Sequence, residues 1–84
     1  MKLQLKYFAN LADEFGIDQE ALELSGGKQT VGSLKKYLSE RGPQWQQALA
    51  ETSTKCAVNQ MIVSDTERLT EGAEVAFFPP VTGG

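Results

Sequence analysis

The chain has 84 residues, enough for one small domain and too few for two. Its net charge is −3 with only eight basic residues, which argues against nucleic acid as a partner, and no stretch approaches the ~20 consecutive apolar residues of a membrane span. There is no histidine and a single cysteine, so a zinc site, a Cys/His or Ser/His nucleophile system and an internal disulfide all lack parts. Without a phosphate-cradling glycine motif as well, the inventory argues against an independent enzyme and implies neither a metal nor a bound cofactor. The first residues alternate and lack the apolar run of a signal peptide, and a lone cysteine suits a reducing compartment; the expected location is cytoplasmic.

Residues 2–8 alternate, with Leu3, Leu5 and Tyr7 on one face and Lys2, Gln4, Lys6 and Phe8 on the other, which predicts a strand buried on one side. Phe8 breaks the polar face; it either covers the next loop or is an exposed contact for a partner. Asn10 to Gly16 predicts a short helix capped by Asn10 and ended by Gly16, with Leu11 and Phe15 on one face. The acidic group Asp13, Glu14, Asp18 and Glu20 is a solvated face or a docking surface. Ala21 to Leu24 alternates again as a second strand, and Gly26-Gly27 supplies a turn.

The strongest helix signal follows. Thr30 is the N-cap, Val31, Leu34 and Leu38 form the apolar stripe with Tyr37 beside it, and Gly42-Pro43 ends it. Pro43 starts a second short helical turn through Trp45, Ala48 and Leu49, with Trp45 in the core or at its edge. Lys55 to Val58 predicts a third strand, Asn59-Gln60 a turn and Ile62-Val63 a brief returning strand. Cys56 fits a small buried hydrophobe better than a reactive thiol, because nothing near it in sequence would lower its pKa. Leu69 plugs the core, Glu71-Gly72 turns, and residues 73–78 form the last strand, with Val75 and Phe77 on one face and Phe78 on the other. Phe78 is thus a second aromatic on an outer face.

Pro79-Pro80 cannot donate ladder hydrogen bonds and holds the chain extended, so the sheet is expected to stop near Phe78. That divides the chain into a domain over 1–78 and a tail over 79–84, Pro79-Pro80-Val81-Thr82-Gly83-Gly84, which spans at most ~20 Å when extended. Gly83 and Gly84 carry no side chains and can pass a narrow channel, and the only reactive group at the tip is the Gly84 carboxylate. The element order strand, strand, helix, strand, short strand, strand suits an α+β fold of β-grasp type. It has a mixed sheet, a crossover helix on one face and the final strand beside the first.

Residues 57–60 (Ala-Val-Asn-Gln) and the run from Leu69 through Phe77-Phe78-Pro79-Pro80-Val81-Thr82-Gly83-Gly84 strongly resemble the sulfur-carrying small subunits of molybdopterin synthase. Leu5-Lys6-Tyr7-Phe8-Ala9 and Thr30-Val31-Gly32-Ser33-Leu34 are similar to that family too. The resemblance implies a ubiquitin-like β-grasp whose Gly84 carboxylate is adenylated by a ubiquitin-activating-like enzyme using ATP, then converted to a thiocarboxylate. The tail would enter the large subunit of molybdopterin synthase and donate sulfur to cyclic pyranopterin monophosphate. The assembly would be a heterotetramer of two small and two large subunits. On this resemblance Phe8, Ile62 and Phe78 become an apolar docking patch, Pro79, Pro80, Val81 and Thr82 contact the partner, and Gly83 and Gly84 carry the chemistry. Two other readings stay open: a carrier of thiamine type, and a β-grasp interaction module with an inert diglycine.

Overall fold

Alternation in the first strand decides on which side of the sheet the molecule is built. Leu3, Leu5 and Tyr7 are buried, while Lys2 and Gln4, at alternate positions, are exposed. The structure, a computed structural model, describes residues 1–79. They form β1 (Lys2–Tyr7), α1 (Asn10–Phe15), β2 (Gln19–Glu23), α2 (Val31–Ser39), α3 (Pro43–Ala50), β3 (Lys55–Val58), β4 (Met61–Val63) and β5 (Glu74–Phe78). The strand order is β2-β1-β5-β3-β4. β5 runs parallel to β1, and the other neighbours are antiparallel. The expected mixed β-grasp sheet, with the last strand beside the first, is therefore present.

The inner face of the sheet packs on the helices. Leu3, Leu5, Tyr7, Leu22, Cys56, Val58, Val75 and Phe77 join Val31, Leu34, Leu38, Trp45 and Leu49 in one cluster. Leu69 fills it from the loop before β5, as its apolar character in a polar stretch requires. α2 forms because its stripe at 31, 34 and 38 faces that cluster, and its first turn is closed on itself. The Thr30 hydroxyl accepts from the Ser33 N–H at 3.1 Å, and the Ser33 hydroxyl accepts from the Thr30 N–H at 2.8 Å. α3 is a full helix of eight residues with Pro43 in its first turn, longer than the single turn expected, because Trp45, Ala48 and Leu49 all find the core.

Two other boundaries differ from the sequence reading. Asn10 does not cap α1; it is its first residue. Ala9 stands at the cap position, makes no side-chain cap, and holds φ 54° and ψ −134°. That conformation is set by its neighbours: Phe8 is still bonded to β5, while the Ala9 carbonyl already accepts from Ala12 at 3.1 Å. Gly16 does end the helix, left-handed at φ 77°, with its N–H on the Ala12 carbonyl. β2 runs over Gln19–Glu23 rather than from Ala21 to Leu24, because its ladder continues back to the Lys6↔Gln19 pair. A strand's ends are fixed by its neighbour's reach, which local alternation does not contain.

The β3–β4 turn is tight. Asn59 and Gln60 both have positive φ, 49° and 71°, the geometry that a two-residue hairpin loop needs. Asn59 also ties the hairpin to β5. Its N–H donates to the Glu74 carbonyl at 2.8 Å, and its side-chain oxygen accepts from the Glu74 N–H at 3.0 Å.

Candidate docking face and root of the tail

With the helices on one side, the other face of the sheet has no covering layer among the described residues. Its outward residues are set by register. Ile62 pairs with Ala57, Ala57 with Ala76, and Ala76 with Lys6, a row that crosses four strands. Two residues further along β5 on the same face comes Phe78, whose register partner is Lys55. Ala57 is buried yet lies outside the core cluster, shielded by its outward neighbours. The small alanines make a shallow floor between Ile62 and Phe78, which lie two strand spacings and two residues apart, roughly 12 Å.

The Phe8 N–H donates to the Phe77 carbonyl at 3.1 Å, so the pairing of Tyr7 with Phe77 carries on one residue past β1. Phe8 therefore sits beside Phe78 in register, and the pleat turns both away from the core. Exposure is unequal across the patch. Ile62 is 70% exposed and Phe8 48%, whereas Phe78 is half-buried. The three residues expected as a patch are thus brought to one end of the open face. Met61, also 70% exposed, was not singled out by the sequence. It pairs with Val58 on the helix side, but at the sheet edge none of the described residues covers it. Lys55 was missed for a related reason: its place beside Phe78 exists only once β3 and β5 are paired.

Beneath the aromatics lies a rigid support. Tyr7 stacks on Phe77 with centroids 6.1 Å apart, and meets Phe15 and Trp45 edge-on at 5.1 and 5.4 Å. Phe15 and Trp45 lie flat on each other at 3.8 Å. The Tyr7 hydroxyl donates to Glu20 at 2.7 Å, and Arg41 reaches the same carboxylate through two bonds of 2.7 and 2.9 Å while its guanidinium lies 4.7 Å over the Trp45 ring. Burial, then the bond to Glu20 and its charge, raise the Tyr7 phenol far above its ordinary value. Burial works to raise Glu20, but the bonds from Arg41 and Tyr7 and the guanidinium charge outweigh it and lower that carboxyl below 4.5. The bond to Glu20 is the main cause that raises Arg41. Strands β1 and β5 are thereby held together near the end of β5.

β5 ends at Phe78. Pro79 is half-buried and lines a groove of about 360 Å³ with Asn10, Leu11, Gln44, Ala48 and Thr54. Pro80, Val81, Thr82, Gly83 and Gly84 lie outside the described residues. Cys56 is buried, and burial pushes its thiol up to about 11, with Lys35 opposing and Asp65 adding to the rise. Among the described residues, no three His, Cys, Asp or Glu side chains gather as a metal site, and no helix is long and apolar enough to cross a membrane.

Known proteins share this architecture. The family model described as ThiS family matches residues 5–84. The chain is 39% identical over 82 residues to the molybdopterin synthase sulfur carrier subunit of Escherichia coli K12, an alignment covering 98% of this chain and 99% of the relative. Among solved structures it is similar to a putative molybdopterin converting factor subunit 1 from Pyrococcus furiosus, with TM-score 0.80 and 30% identity over 96% of this chain and 99% of that one. SAMP1 from Haloferax volcanii superposes with TM-score 0.83 at 26% identity, covering both chains fully. Fold, open aromatic face and full-length relatives agree, and the chain belongs to the ThiS family, beside the molybdopterin synthase sulfur carrier subunits.

Proposed function

We propose that this protein carries sulfur to molybdopterin synthase as a thiocarboxylate on Gly84, docking on the large subunit through Phe8, Ile62 and Phe78. The observation that carries the reading is an open sheet face with an apolar patch at Phe8, Ile62 and Phe78, the last of these ending the strand that precedes the diglycine in the chain. The small protein is a handle, and the chemistry sits at its tip. A carboxylate is a poor electrophile. Transfer of AMP from ATP by an adenylating enzyme, with release of pyrophosphate, gives Gly84 a good leaving group. A sulfide equivalent then displaces AMP and leaves a thiocarboxylate.

In the large subunit, that sulfur attacks an oxygen-bearing carbon of cyclic pyranopterin monophosphate; the C–S bond forms as the C–O bond at that carbon breaks and the oxygen leaves with its electron pair, giving a thioester. Water cleaves the acyl–sulfur bond, so the sulfur stays on the pterin and Gly84 returns as a carboxylate. A dithiolene needs two sulfurs, hence two carriers per product, which suits a heterotetramer of two small and two large subunits. Tethering raises the effective concentration of the nucleophile at the acceptor. A cytoplasmic location, where ATP and such partners are found, fits this reading, with ATP used by the adenylating enzyme rather than held by this chain.

The test is the intact mass of the protein purified from cells with the pathway active, with fragmentation to locate any change. The expected result is a gain equal to sulfur in place of one oxygen, at Gly84. Absence of sulfur after incubation with the adenylating enzyme, ATP and a sulfur donor would sink the carrier reading and leave a binding module.

A further inference from the structure

The charge on the open face does not follow the charge of the chain. The whole protein is acidic at −3, yet this face carries Lys2, Lys6 and Lys55 against Glu23 and Glu74. Lys2 and Glu23 are register partners at the end away from the aromatics. Near Phe8 and Phe78 the face is edged by Lys6 and Lys55. Lys6 meets Glu74 only at 3.6 Å, with both side chains more than a third exposed, so the pair is weak and open to exchange. Lys55 is exposed, stands directly across from Phe78, and makes no ion pair among the described residues.

We propose that Lys55, with Lys6 in support, forms a cationic rim that selects a large subunit bearing carboxylates beside the recess that receives Phe8 and Phe78. The inference rests on the docking proposed above and adds the chemistry of the partner surface. Cross-strand neighbours stand ~5 Å apart at Cβ, so any partner that covers the Phe78 ring must also desolvate part of Lys55. A partner with an apolar or basic surface there leaves an ammonium uncompensated and is penalised. A carboxylate opposite removes that penalty and also attracts the carrier from a distance, so the effect appears chiefly in the association rate.

The experiment measures association of the carrier with the molybdopterin synthase large subunit from the same organism, by stopped flow at low and high ionic strength. The variants are Lys55→Glu, Lys55→Gln and Lys28→Glu, whose charge changes in the β2–α2 loop instead. Urea titration verifies that each is folded. Wild-type association should slow as salt rises. Lys55→Glu should slow it about tenfold at low salt, Lys55→Gln by less, and Lys28→Glu should stay near wild type. Unchanged or faster association of folded Lys55→Glu would overturn the rim. So would sedimentation showing that the free carrier buries this face against a second copy. If the wild-type protein does not bind the large subunit at all, the docking itself fails, and the rim falls with it.

Discussion

The ring of Phe78 and the ring of Phe77 lie on opposite faces of β5, although the residues are consecutive: Phe77 is fully buried in the helix-side core and Phe78 is half-buried on the open face. The two positions should separate folding from docking. Phe77→Ala should cost ~3–5 kcal/mol of stability, a large share of what an 84-residue domain has. Phe78→Ala should cost about 1 kcal/mol in urea titration, yet weaken large-subunit binding at least tenfold in calorimetry. A Phe78→Ala protein that binds as tightly as wild type would remove Phe78 from the docking face.

Adding one residue after Gly84 moves the terminal carboxylate by about 3.3 Å. Such a protein should fold as wild type, still bind the large subunit through its sheet face, and fail to yield product in a sulfur-transfer assay. Normal turnover would mean that the tip is not where the chemistry occurs.

Glu20 gives the fold a pH dependence of known sign. Its carboxyl is lowered below 4.5 in the folded state, so its contribution is complete above that value and is lost as pH falls through the lowered one. Tyr7, raised by burial, stays protonated over this range and keeps donating. Urea midpoints measured from about pH 5 to about pH 3 should therefore fall more steeply for wild type than for Glu20→Gln. Parallel curves would show that the pair with Arg41 does not contribute.

Cys56 should be chemically silent. With its thiol buried and pushed up to about 11, labelling by iodoacetamide near neutral pH should be slow in the folded protein and fast in denaturant. Cys56→Ala should still acquire sulfur at Gly84. Loss of loading in a folded Cys56→Ala protein would give the thiol a part in the transfer.

Most of the architecture is legible in the sequence because most of it is local. The alternation at 2–8, the stripe at 31, 34 and 38 with Thr30 before it, and the Asn59-Gln60 turn each carry their own physical reason. Phe8 and Phe78 can be noticed as misfits of alternation without any knowledge of pairing. Their adjacency cannot, since it depends on β5 lying parallel to β1, seventy residues apart in the chain. The same holds for Lys55 beside Phe78 and for Glu20 reaching Tyr7 and Arg41. Ala9 escaped for a different reason: alanine gives no hint of positive φ, and only the bonds on either side of it impose one.

The last strand made is the one in the middle. β5 lies between β1 and β3, so until it is present the early strand pair and the later hairpin have no shared ladder, and the buried side of Phe77 is missing from the core. On a ribosome, the sheet can close only after residues 74–78 have been made. A product cut short before residue 74 lacks the tip and, with it, the strand that welds the two halves. It should be a ready substrate for proteases and a poor competitor for partners, as pulse proteolysis of chains ending at Gly72 would reveal. Placing the central strand late in the chain makes folding wait on it: the early strand pair and the later hairpin become one sheet only once β5 is made.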